Sequence, residues 1–204
     1  MLEIALDHDQ KDALQEVANI GAAHAATALS QMINKEIEMG IAKVDVVSLG
    51  RTIDCVKDQE IVVGVFLKVE KGIPLNIMLL LSQESAFSLA DMLMGRESGK
   101  IKNDISEMDK SAIQELANVI MCSFFDSLTE LLQVSLIPGP PVLAYDMPAA
   151  IMDYVLIQLG ELSNEAVVFS CYIKEEKHES FKIDLFLLPE PSSVKIILEK
   201  LGMV

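Results

Sequence analysis

The hexapeptide Gln15-Glu16-Val17-Ala18-Asn19-Ile20 returns half a chain later as Gln114-Glu115-Leu116-Ala117-Asn118-Val119. Four of the six residues are identical and the other two exchange one aliphatic side chain for another. Both copies sit in long apolar stretches of helical period. A carboxylate and a carboxamide three residues apart then share one face of a helix. A chain that repeats such a pair is constrained to a duplicated architecture in which each half presents the same face.

The flanking sequence extends the repeat. Leu29 aligns with Leu128, Ser30 with Thr129, Glu60–Val63 with Glu165–Val168, and Asn76–Leu80 with Asp184–Leu188. The first half reads as a helix over Asp9–Ile33, ended by Asn34-Lys35. Strands follow over Glu36–Leu49, Gln59–Val69 and Pro74–Leu81, then a helix over Ser82–Met94 closed by Gly95. Arg96–Asp104 is polar and reads as the linker. The second half repeats the order. A helix over Glu107–Leu132 starts from a Ser106/Asp109 capping pattern. Ser135–Asp146 is extended and broken by Pro138, Pro140 and Pro141. Strands over Glu165–Lys174 and Phe181–Leu188 precede a last helix over Pro191–Leu201, stopped by Gly202. Pro148–Leu162 reads as an extra helix without a clear counterpart. The expected class is α+β: one domain over residues 1–204 made of two repeats, about 9–98 and 106–204. The repeats are related by a pseudo-twofold, with two long helices on an antiparallel or mixed sheet.

Composition narrows the function classes. Apolar residues make up 51% of the 204, aromatics only 5%, and Trp is absent, so the core is built from Leu, Ile, Val, Ala and Met. The net charge of −15 argues against a nucleic-acid binder, which needs basic groups to neutralise phosphates, and against docking on anionic membranes. Cys55, Cys122 and Cys171 are widely spaced, with no CxxC or Cys/His cluster, so they read as reduced, packed thiols. The start, Met1-Leu2-Glu3-Ile4, lacks the basic, apolar pattern of a signal peptide, and the longest pure apolar run, Ile77–Leu81, is too short to span a bilayer. A cytoplasmic protein is expected.

Asp12, Glu16 and Asn19 are spaced i, i+4, i+7, and Ser111, Glu115 and Asn118 repeat that stripe. A solvated face tolerates Lys, Arg or Gln in such positions; here the same acid and the same amide recur. The flanking small residues, Gly21-Ala22-Ala23 and Ala25-Ala26-Thr27-Ala28, permit close approach of another backbone, either a neighbouring helix or a partner. Asn has a donor and an acceptor but no useful pKa, so it can fix the orientation of a water rather than act as acid or base. Glu can pair with a partner's cation and set the docking register. A positioned water suits in-line hydrolysis of an activated phosphoryl group, where positioning supplies most of the catalysis. No nucleophile, P-loop or metal cluster is visible, so any Mg²⁺ would arrive with the substrate.

The spacing Asp/Ser-x3-Glu-x2-Asn-x22-Pro resembles the signature of the CheC-type phosphatases of chemotaxis. The second copy carries it in full at Ser111, Glu115, Asn118 and Pro141; the first has Asp12, Glu16 and Asn19 but Ala42 in place of Pro. His24 stands where close relatives tend to carry Asn, and reads as a packed or surface residue. No role falls to Asp45 or Asp54. The resemblance implies a phosphatase for the phospho-aspartate of a CheY-type response regulator. Glu16 and Glu115 would pair with the regulator's Lys, and Asn19 and Asn118 would orient the attacking water. Asp12 and Ser111 would support the site's edge, and Pro141 would shape the segment that follows. The chain would bring no cofactor of its own, the regulator supplying Mg²⁺. It further implies CheD, a deamidase, as a partner, expected near Asp146–Leu162. Two motifs in one chain, unlike the single motif of dimeric CheX, point to a monomer. FliY-type relatives carry a further domain after this module, and the end at Val204 points away from them. The second copy is expected to be the stronger site. The alternative is a non-catalytic adaptor that binds CheD, the phosphorylated regulator, or both.

Overall fold

Asp7 and Ser106 open the two long helices in the same way. In helix α1 (His8–Ile33) the Asp7 carboxylate accepts from the Gln10 N–H at 2.9 Å, and the Gln10 side chain accepts from the Asp7 N–H at 3.0 Å. In α3 (Glu107–Leu132) Ser106 and Asp109 make the same reciprocal pair. Each box satisfies two backbone donors that the first turn of a helix leaves free. The two helices also end alike, on left-handed residues, Asn34 with φ 54° and Gln133 with φ 50°. The computed structural model describes residues 6–48, 61–97, 99–102, 104–159, 165–175, 181–200 and 202. Cys55 and Asp54, the first residues of the strand expected from Gln59, and the ends expected at Leu49, Leu162 and Leu201 lie outside them.

Between and after the long helices run β1 (Ile37–Ser48), β2 (Val62–Lys71), β3 (Leu75–Ser82) and α2 (Gln83–Leu93), then β4 (Ile137–Pro138), β5 (Val142–Asp146), α4 (Pro148–Leu159), β6 (Glu165–Glu175), β7 (Phe181–Pro189) and α5 (Pro191–Lys200). All pairings are antiparallel, in one sheet of order β1-β6-β7-β3-β2, with β4 and β5 both on the outer edge of β2. The order is palindromic. Met78 on β3 faces Phe186 on β7, and these are the residues that the repeat aligns, so the pseudo-twofold passes between them. The first strand of each half crosses over: β1 pairs with β6 of the second half, and β4 and β5 pair with β2 of the first.

The strand sequences follow this placement. β3, from Leu75 to Leu81, is buried on both faces and reads as a nearly continuous apolar run, whereas the edge strand β1 alternates. Pleating divides the core into two layers. Val63, Val65, Leu79, Leu81, Phe169 and Leu185 face α1, α2 and α3; Val62, Phe66, Met78, Leu80, Val168 and Phe186 form the opposite layer, where α4 packs through Ile151, Met152 and Val155. The extra helix therefore covers the face that the long helices leave open.

α1 and α3 lie against each other. Gly21 makes this possible: a Cβ there would stand 3.0 Å from the Phe124 Cα, so any side chain would force the helices apart. The small residues of α1 thus receive a neighbouring helix of the same chain. The segment after α2 is more firmly held than its polarity implied. Arg96 reaches back to Asp91 of α2, its Nε 3.0 Å from Oδ1, and forward to the Asp109 carboxylate of α3. The N–H vector at Nε misses Asp91 Oδ1, so this pair is a charge contact rather than a hydrogen bond. Asp91 Oδ2 accepts from the Lys100 and Ile101 N–H groups at 2.8 and 3.3 Å. Burial pushes the Asp109 carboxyl upward, but hydrogen bonds from Ser106 and Arg96 outweigh it and hold Asp109 below its ordinary 3.8.

Candidate functional site

On α1, Leu14, Val17, Ala18, Gly21, Ala22 and Ala25 face the core, which leaves Asp12, Glu16 and Asn19 on the exposed stripe. On α3, Ile113, Leu116, Ala117, Ile120 and Met121 are buried, Ser111 and Glu115 are exposed, and Asn118 is half-buried. The helical period alone dictates both arrangements. Among the described residues neither Glu16 nor Glu115 has an ion-pair or hydrogen-bond partner. Asp12 pairs with His8 at 2.9 Å, one turn before Glu16, and Ser111 Oγ donates to the Glu107 carbonyl at 2.9 Å.

The two asparagines are held differently. Asn19 Oδ1 accepts the backbone N–H of Ile41 at 3.4 Å. Ile41 stands beside a bulge in β1: its partner is Cys171, Lys43 pairs with Ser170, and Ala42 is left without a partner on β6. Ala42, the residue in the proline position, is therefore the bulged residue, where a proline costs no ladder bond. In the second copy Pro140 and Pro141 occupy the places of Ile41 and Ala42. With two consecutive N–H groups missing, the edge strand breaks into β4 and β5. The Pro141 carbonyl accepts from Gln114 Nε2 at 2.9 Å, which ties this segment to α3. Among the described residues Gln15 makes no matching bond to Ala42. Asn118 Oδ1 accepts instead from the Cys122 thiol, 3.5 Å away on the next turn. Burial, with Asp126 and Glu115 nearby, raises the Cys122 pKa, so the proton stays on sulfur near neutral pH.

His24 is exposed on α1, and Asp45 is occupied by an ion pair with Lys43. Cys171 is buried, its thiol pushed up to about 12 by burial and by Asp184. Among the described residues, no group of three or more His, Cys, Asp and Glu is placed to hold a metal ion, and no helix is long and apolar enough to cross a membrane. The role of Gln114 was not assigned from sequence, although Gln opens both copies of the hexapeptide.

The chain thus carries a duplicated, helix-borne Glu/Asn stripe on an interleaved antiparallel sheet. Residues 10–40 and 108–145, which hold both stripes, match the CheC-like family. Its likeness to that family covers these two segments, about a third of the chain. The chain is similar to the CheY-P phosphatase CheC of Bacillus subtilis, 28% identical over 97% of this chain and 96% of that protein. It is also similar to the flagellar motor switch phosphatase FliY of the same organism, 25% identical over 67% of this chain but only 35% of that longer protein. In fold it resembles the crystal structure of Thermotoga maritima FliY, with a TM-score of 0.81 at 21% identity over 98% of both chains. The FliM middle domain from H. pylori follows, with a TM-score of 0.69 at 14% identity over 96% of this chain and 99% of that one. At these identities the two structures speak for the fold alone.

Proposed function

We propose that this chain hydrolyses the phospho-aspartate of a CheY-type response regulator, using two sites. One observation carries the reading: each long helix presents a glutamate unpaired among the described residues and, one turn on, an asparagine whose amide oxygen is already held from within the chain. The similarity to a CheY-P phosphatase along nearly the whole sequence supports it.

Glu16 and Glu115 dock on the regulator's active-site lysine and set the register. Asn19 and Asn118 then reach the acyl phosphate. An amide oxygen with one lone pair occupied keeps its second lone pair and its NH₂ group for the attacking water. Water adds to phosphorus in line, the bond to the aspartyl oxygen breaks, and inorganic phosphate and the free carboxylate remain. Mg²⁺ held by the regulator would supply the positive charge that offsets the developing charge on the phosphoryl oxygens. Asp12 and Ser111 bound the stripe at its N-terminal end. Gln114 and Pro141 shape the wall of the second site.

The test is the decay of a phosphorylated, Mg²⁺-bound CheY-type regulator with the wild type, Asn19→Ala, Asn118→Ala and the double variant. Faster decay that the double variant abolishes supports the phosphatase. Unaccelerated decay with binding intact supports an adaptor. α4 bears on that second reading: Tyr154, Leu156 and Ile157 are exposed on it, and Ile157 is 76% exposed. Such an apolar face suits a protein partner, and CheD is the partner we place there.

A further inference from the structure

Within one chain, the same amide oxygen is fixed by two different donors. In the first copy the donor is the Ile41 N–H. The matching position in the second copy is Pro140, which has no N–H to give. The residue four beyond the asparagine has changed in the complementary sense: Ala23 after Asn19, Cys122 after Asn118. Where the backbone donates, the side chain is inert; where proline has removed the backbone donor, a thiol stands within reach of the amide oxygen.

We propose that Cys122 is the positioning residue of the second site, its thiol hydrogen holding Asn118 Oδ1 in place of the backbone N–H that Pro140 lacks. The proposal rests on the phosphatase reading for its consequence in rate, but not for the contact itself. An amide rotates about its last side-chain bond between two faces that differ only in the order of oxygen and nitrogen. A donor on one side removes that ambiguity, because only oxygen can accept from it. Among the described residues the Cys122 thiol is the donor recorded on Asn118 Oδ1. The contact is weaker than the one in the first site, since a thiol is a poor donor. Proton transfer plays no part in it: the sulfur keeps its hydrogen throughout.

Two readouts test this. In an Asn19→Ala background, where only the second site turns over, Cys122→Ala is expected to lower kcat by about threefold, the low end of what one hydrogen bond contributes. KM is expected to stay unchanged. Cys122→Ser, which restores a donor, is expected to keep the parental kcat. Separately, in ¹⁵N-labelled protein without any regulator, the side-chain NH₂ resonances of Asn118 are expected to move in Cys122→Ala while those of Asn19 stay. Unchanged kcat together with unmoved Asn118 resonances overturns the proposal, as does a serine variant that loses as much as alanine. If the Asn19→Ala parent has no phosphatase activity, the functional reading fails, and the Asn118 resonances still decide the contact.

Discussion

The two copies of the stripe sit on helices of equal length with matching caps, yet their surroundings differ. The first faces an unbroken edge strand that supplies a backbone donor through a bulge. The second faces a strand broken by two prolines, tied down by Gln114, and starts from a helix end clasped by Arg96. The difference teaches that duplication preserved the groups aimed outward and let their support diverge. Among the described residues Glu16 and Glu115 are both unpaired and exposed; Asn19 is held by a backbone nitrogen and Asn118 by a thiol.

The largest expected effect removes the comparison altogether. Asn19→Ala with Asn118→Ala is expected to return regulator decay to its unassisted rate, measured by loss of labelled acyl phosphate. Asn118→Ala alone is expected to cost more than Asn19→Ala, since the second copy carries the full motif with Pro141; equal losses would make the copies equivalent. Reversing one carboxylate, Glu16→Lys or Glu115→Lys, is expected to weaken regulator binding at that site by about tenfold or more, because a like charge then meets the regulator's lysine. Titration calorimetry on single-site variants reads this directly.

Arg96→Ala is expected to cost about 2–3 kcal/mol in denaturant unfolding. It strands Asp91 and Asp109, both buried, but Arg96 is itself a third exposed and its pairing is partly screened. The second site is expected to suffer more than the first, because Asp109 caps α3. The same cluster gives a pH signature. A folded-state pKa below the unfolded value contributes stability that is present above about pH 4 and is lost as pH falls through the lowered Asp109 value. An acid titration of the wild type should show this loss; Arg96→Ala should flatten it. The smallest effect is expected for Gln114→Ala, about 1 kcal/mol or less, confined to second-site turnover as the Pro141 segment loosens. A matching loss from Gln15→Ala at the first site would erase the distinction drawn between the segments.

Much of this fold was legible because its signals are local. Apolar period set α1 and α3 within a residue or two of their ends, helped at α3 by the Ser106/Asp109 capping pattern, and Pro74–Leu81 marked a strand. The alignment of Asn76–Leu80 with Asp184–Leu188 even located the pseudo-axis, since Met78 and Phe186 face each other. Pairing was not legible: nothing near Ile37 announces that its neighbour is Glu175. The outward faces of both stripes followed from spacing, but their supports did not, because Ile41 and Gln114 act on groups remote in sequence. One signal was available. Pro140 opposite Ile41 in the aligned repeats declares a missing donor from the sequence alone.

The exchange of edge strands has a consequence during synthesis. α1 and β1 leave the ribosome early, but β1 has no hydrogen-bonding neighbour until β6 follows, with Ile37 waiting for Glu175 and Ser48 for Glu165. At ordinary elongation rates that interval is on the order of ten seconds. Through it the nascent chain carries an open strand edge, and a neighbouring ribosome's copy could offer a partner before its own β6 is made.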